Sequence, residues 1–128
     1  MKYTAVGIAG MVGASLRYAI GLSFQHVWFY DFPIATFLTN MLGSFILGWL
    51  TLSLPRLKFL HPVMIPAIGT GLIGSFTTFS TFSVETVELM IVGKWGVALL
   101  YLLFSVWGGL LFSWLGYRFG SRQRRMSV

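Results

Sequence analysis

Almost every charge in this sequence stands at the end of a hydrophobic segment, and few folds tolerate that arrangement. Only 9% of the 128 residues are charged and 56% are hydrophobic, whereas soluble domains run near a quarter charged. The segments between charges approach the roughly 20 residues that a helix needs to cross a hydrocarbon core. The reading is an all-α integral membrane protein, a single domain over 1–128 with four transmembrane helices. The spans are expected at about 4–24, 33–54, 62–92 and 95–117, with a basic tail at 118–128. Four thin helices enclose little interior, so association with another subunit is expected. No cleavable signal is expected either, because the first span starts almost at Met1 and no small-residue cleavage site precedes a polar region.

The charge distribution predicts orientation. With the N-terminus inside, the cytoplasmic face holds Lys2, Arg56, Lys58, Arg118, Arg122, Arg124 and Arg125, and the outside holds only Lys94. The positive-inside rule then puts both termini in the cytoplasm. Trp28, Phe29 and Tyr30 read as an interfacial belt, and His26 and His61 as ordinary interfacial residues. Basic residues at span ends make a poor nucleic-acid surface, so no nucleic-acid partner is expected. The absence of cysteine excludes thiol catalysis and thiolate metal sites. No nucleophile elbow, phosphate loop or metal-ligand cluster appears, and no enzymatic activity is expected.

The third hydrophobic stretch is unlike the others. Pro66, Gly69, Gly71 and Gly74 crowd its first half. Six hydroxyls and three phenylalanines then fall between Gly74 and Ser83, with no charge. Broken helices free backbone groups that membranes tolerate only when buried or lining a polar site. A break near 74–77 therefore reads either as a packing kink or as an ion site built on carbonyls of the Gly74–Thr77 region. Phe79 and Phe82, three apart, share a helix face. They read as core or lipid-facing rings, or as ring edges offered to an anion. Thr78, Ser80 and Thr81 flank them with hydroxyls able to replace part of an anion's water shell.

Five further positions join the candidates. Asn40, in the second span after Thr36 and Thr39, reads as an interhelical hydrogen-bonding residue or as pore lining. Tyr101 and Ser105, four apart in the fourth span, share a face. Arg17 interrupts the first span and reads as lining a water-filled vestibule, where it would attract anions. Glu85 follows the hydroxyl run and suits a proton-coupled transporter. Ser44/Gly48, Ser105/Gly109 and Gly116/Gly120 follow the small-xxx-small pattern of helix contacts.

The run from Gly74 to Glu85 resembles the signature of the Fluc (CrcB) family of bacterial fluoride channels. Gly13-Ala14-Ser15-Leu16-Arg17 and Thr39-Asn40-Met41-Leu42-Gly43 resemble that family's first- and second-span landmarks, and the likeness covers nearly the whole chain. The resemblance implies an antiparallel dimer of four-span subunits with a broken third helix, in the bacterial cell membrane. It implies two fluoride pathways along the interface. Asn40, Thr78, Phe79, Ser80, Thr81, Phe82, Tyr101 and Ser105 would line them, with Arg17 at a vestibule. A further hydroxyl position of that family's polar track is Gly109 here. The resemblance also implies a structural sodium ion held by backbone carbonyls at Gly74 and Thr77.

The charge bias departs from what a subunit inserting in both orientations needs. A heterodimer with a homologous subunit of opposite topology is the preferred expectation; pairing with itself is the other. Two further functions stay open. One is a small proton-coupled multidrug-type exporter, which wants a first-span carboxylate where this chain has Arg17. The other is a non-conducting partner subunit.

Overall fold

The computed structural model describes residues 2–24, 31–53 and 61–126, and it is all-helical, with no strand among the described residues. Helix α1 covers Lys2–Phe24 and α2 covers Ile34–Ser53. Three consecutive helical segments, Met64–Pro66, Ala67–Ile73 and Gly74–Phe76, make up a half-helix, α3. The second half, α4, covers Phe79–Ile91, and α5 covers Trp95–Met126. The expected aromatic belt at 28–30, together with His26, Arg56 and Lys58, lies outside the described residues.

Lys2–Phe24, Ile34–Ser53 and Trp95–Arg122 are each long and apolar enough to cross a membrane. Leu16, Leu99, Trp107 and Leu110 point outward, as side chains solvated by hydrocarbon can and those of a soluble bundle cannot. This is a membrane protein.

The path of the chain can be followed through its contacts. Going up α1, Gly10 faces Ser75, Gly13 faces Leu72 and Phe76, and Arg17 reaches Thr81. So α1 runs in the same direction as the α3–α4 pair. Along α2, Thr36 reaches Glu85, Asn40 reaches Thr78, and Leu50 packs on Ile73, so α2 runs opposite to the pair. Gly108 lies against Met41, and Gly120 against Trp49 and Leu52, so α5 runs beside α2 in the same direction. The link at Asp31 and the turn at Lys94 meet in an ion pair at one end. There the last turn of α4 closes as a Schellman motif: Gly93, at φ +79°, donates to Met90, and Lys94 donates to Leu89.

Two departures from the sequence reading have physical causes. The middle of α3, Ala67–Ile73, is π-helical, and the Gly74 N–H reaches back five residues to the Gly69 carbonyl. Pro66 brings no N–H to the ladder, and the small residues Gly69 and Gly71 accept the wider turn. The expected basic tail is not a separate segment, because α5 continues through it to Met126. Arginine and glutamine are good helix formers, and no proline interrupts them.

Candidate functional site

The break falls at the end of the expected window. Thr77 is extended at φ −80°, ψ 158°, and Thr78 at φ −150°, ψ 123°. Asn40 holds it open. Its Oδ1 accepts from the Thr78 N–H at 2.8 Å, and its Nδ2 donates to the Thr78 carbonyl at 3.0 Å. The side-chain amide thus pairs with the backbone on both edges, as a neighbouring peptide would. In an unbroken helix the Thr78 N–H would go to the Gly74 carbonyl. The Thr77 hydroxyl lies 3.4 Å from that carbonyl but closer, at 3.1 Å, to the Ile73 carbonyl. One amide hydrogen of Asn40 remains to be donated.

Thr78 also starts the second half-helix. Its Oγ1 accepts from the Thr81 N–H at 3.1 Å, an N-cap. Its hydroxyl donates to Thr81 Oγ1 at 3.0 Å and lies 3.3 Å from Ser80 Oγ. Arg17 Nη1 donates to the same Thr81 oxygen at 3.4 Å. With both lone pairs of that oxygen occupied, the Thr81 O–H is left as a donor. Arg17, Thr36, Thr39, Thr78 and Thr81 line a cavity of about 290 Å³, and the Arg17 Nε is buried there without a partner.

On the other side of Thr78 lies a groove of about 320 Å³. Asn40, Thr78, Phe79, Phe82, Ser105 and Gly109 line it, together with apolar neighbours. No charged side chain does. Phe79 and Phe82 stand with ring centroids 5.9 Å apart and planes tilted by 42°. Phe79 is 80% exposed in the single chain, so one wall of the groove is open.

Most of the expected site residues are therefore brought to the two faces of the break. Arg17 and Thr81 lie on the cavity side, while Asn40, Phe79, Phe82 and Ser105 lie on the groove side. Thr78 belongs to both, and Ser80 sits exposed beside it. Tyr101 is placed differently. It is fully buried, touches Phe82 at 5.0 Å between centroids, and turns its hydroxyl to Glu85.

That hydroxyl belongs to a cluster that the sequence left unassembled. Thr36 Oγ1 donates to Glu85 Oε1 at 2.7 Å, and Tyr101 donates to Glu85 Oε2 at 2.7 Å. The Thr39 hydroxyl in turn donates to the Thr36 carbonyl at 3.0 Å. One carboxyl thereby ties α2, α4 and α5 together. The available signal was spacing, since Thr36 is one turn before Asn40 on the same face. Removing either donor leaves a carboxyl oxygen unpaired. Thr36→Val and Tyr101→Phe are expected to be coupled in a double-mutant cycle by about 0.5–3 kcal/mol, read from thermal unfolding in detergent. Additive losses would mean that the cluster does not act as a unit.

Comparison with known proteins gives the family. Residues 4–117 match the family described as CrcB-like protein, Camphor Resistance (CrcB). "Fluoride-specific ion channel FluC 1" of Bacillus cereus is 52% identical over 118 residues, covering 92% of this chain and 82% of the relative. "Fluoride-specific ion channel FluC 2" of Geobacillus kaustophilus is 45% identical over 128 residues, covering 100% and 99%. The FluC 1 of Desulfitobacterium hafniense is 51% identical over 110 residues, covering 84% and 93%. With a family match over most of its length and relatives this similar across nearly all of theirs, the chain belongs to the CrcB family.

Proposed function

We propose that this chain is a subunit of a fluoride-selective channel in the bacterial cell membrane, and that the groove beside Thr78 is one wall of its pathway. The observation that carries this is the uncharged lining of Asn40, Thr78, Phe79, Phe82 and Ser105 at a broken helix. Fluoride holds its water tightly, so a conduit must offer many donors in place of that shell. Candidates are the free amide hydrogen of Asn40 and the Ser105 hydroxyl in the groove, with the hydroxyls of Ser80 and Thr81 beside it; the Thr78 hydroxyl is already given to Thr81. The electropositive edges of Phe79 and Phe82 add further favourable contacts. Tyr101 acts from behind Phe82, and Arg17 raises the positive potential of the adjoining cavity.

Each half of the broken pair is about 20 Å long. Stacked end to end, they make the fourth crossing. Polar groove groups facing lipid would cost several kcal/mol each if unpaired. The open wall therefore calls for a second subunit, in antiparallel pairing, which supplies a second pathway by symmetry. The seven-to-one arginine and lysine bias favours a homologous partner of opposite topology over a second copy, with both termini of this chain cytoplasmic. Its residues also fit a structural sodium ion. The Gly74 carbonyl has lost its ladder donor to Asn40, and the extended backbone takes the Thr77 carbonyl out of the helix. Bare carbonyl oxygens are the donors that a hard cation takes. Such an ion would hold the freed ends of two subunits together and add positive potential. Transport is passive export: an inside-negative potential drives an anion outward with about 2.3 kcal/mol per charge per 100 mV.

Liposomes holding the intact complex, purified with its partner subunit, are expected to lose fluoride, followed with a fluoride electrode, and to retain chloride. Fluoride held by that complex as tightly as in empty liposomes would overturn the channel reading. Robust flux from the pure chain would defeat the heterodimer. Phe79→Ile and Phe82→Ile remove a positive ring edge each. Each is expected to slow efflux about tenfold, the equivalent of about 1.4 kcal/mol, with assembly intact by size-exclusion chromatography.

A further inference from the structure

Helix α5 is 32 residues long, about 48 Å, and outruns a hydrocarbon core of about 30 Å. Aromatic side chains are exposed along its length, and two of its tryptophans stand about one hydrocarbon thickness apart. Trp95 is 64% exposed and Trp114 51% exposed. They stand nineteen residues apart, about 28 Å along the axis, as two interfacial belts would. Trp114 therefore sits at one water boundary, and everything after it lies at headgroup depth or beyond.

The residues that follow are patterned. Arg118 and Arg122 are exposed and one turn apart. Trp114 is one turn before Arg118, and the Arg118 guanidinium lies over its ring at 5.0 Å. That contact holds the first cation of the stripe against the belt. The stripe has no carboxylate side chain to answer it. The chain has three acidic residues. Asp31 pairs with Lys94 at the opposite end, Glu85 is bound between Thr36 and Tyr101, and Glu88 lies in the last turns of α4 near that opposite end.

We propose that the stripe Trp114, Arg118 and Arg122 is a docking surface for the headgroups of anionic phospholipid. The planar guanidinium fork pairs with a phosphate oxygen pair, and the indole beside it anchors the same depth. The lipid's net charge supplies the anion that the chain lacks. Juxtamembrane basic clusters attract anionic lipid in proportion to their charges.

The test uses the full chain in nanodiscs made of equal parts phosphatidylcholine and phosphatidylglycerol, where both leaflets are offered and insertion direction does not matter. Spin-labelled analogues of each lipid report the motionally restricted shell. The wild type is expected to hold phosphatidylglycerol about fivefold over phosphatidylcholine, and molar salt is expected to erase most of that preference. Arg118→Gln and Arg122→Gln combined should bring the ratio toward unity, while Lys94→Gln, at the opposite end of α5, should leave most of it. A wild type without preference overturns the proposal, and this readout does not depend on folding of any variant. A preference that survives in the double variant also overturns it. So does a double variant that changes oligomeric size while keeping its lipid preference, since the stripe would then serve a protein contact. Fluoride flux plays no part in these readouts, so the proposal and the channel reading fail separately.

Discussion

Asn40→Ala is expected to reduce fluoride efflux from liposomes by at least about a hundredfold. The side-chain amide pairs with both the N–H and the carbonyl of Thr78. Its loss strands two backbone groups inside the membrane at about 1–3 kcal/mol each. The cheapest repair is for the Thr78 N–H to return to the Gly74 carbonyl, which heals the helix and withdraws the donors that the groove needs. Asn40→Asp separates two roles of the residue. It keeps an acceptor for the Thr78 N–H, gives up the donor to the Thr78 carbonyl, and sets a negative charge against an incoming anion. It too is expected to be inactive, yet with the break retained. Amide-proton exchange at Thr78 would distinguish the two variants. Efflux within a few-fold of wild type in Asn40→Ala would remove Asn40 from the mechanism.

Gly116→Val is expected to abolish recovery of folded, monodisperse protein in detergent. A Cβ at Gly116 would run into the Phe45 carbonyl on α2, and one at Gly48 into the Ser113 carbonyl on α5. These are backbone atoms, which cannot rotate away as a side chain could. The helices must separate, and the loss exceeds the 1–3 kcal/mol of ordinary overpacking. Gly13 on α1 is held in the same way, against the Leu72 carbonyl. Gly7 and Gly21 have nothing within reach of an added Cβ, so Gly7→Val and Gly21→Val should purify like wild type. Equal yields from Gly116→Val and Gly21→Val would show that the α2–α5 contact is not close.

These glycines illustrate what the sequence could and could not supply. The small-xxx-small pattern marked Gly48, Gly116 and Gly120 as contact positions, and they are. It marked Gly109 equally, where an added Cβ would meet only ordinary neighbours at 3.9 Å. Spacing gives the face of a helix, and the distance to the next backbone depends on the crossing angle. The helix break was legible because hydroxyls and glycines crowd one apolar stretch. Its keeper was not: Asn40 needed some partner at its depth, and nothing in the chain between them hints that it is Thr78, thirty-eight positions on. Nor could the cluster at Glu85 be read, since its donors come from two other helices. The π-helical turns left no mark beyond Pro66 and the glycines. The continuation of α5 was visible in composition, but positive charge reads as a tail as readily as it reads as helix.

The interruption at Thr77 and Thr78 also has an electrostatic side. Peptide dipoles add along a helix, leaving a negative pole where α3 ends and a positive pole where α4 begins. An intact helix would hold these poles at its two far ends, about a bilayer apart. Here they adjoin at the break, so one cut brings two opposite poles of backbone charge side by side, with the Arg17 guanidinium close to the positive one at Thr81.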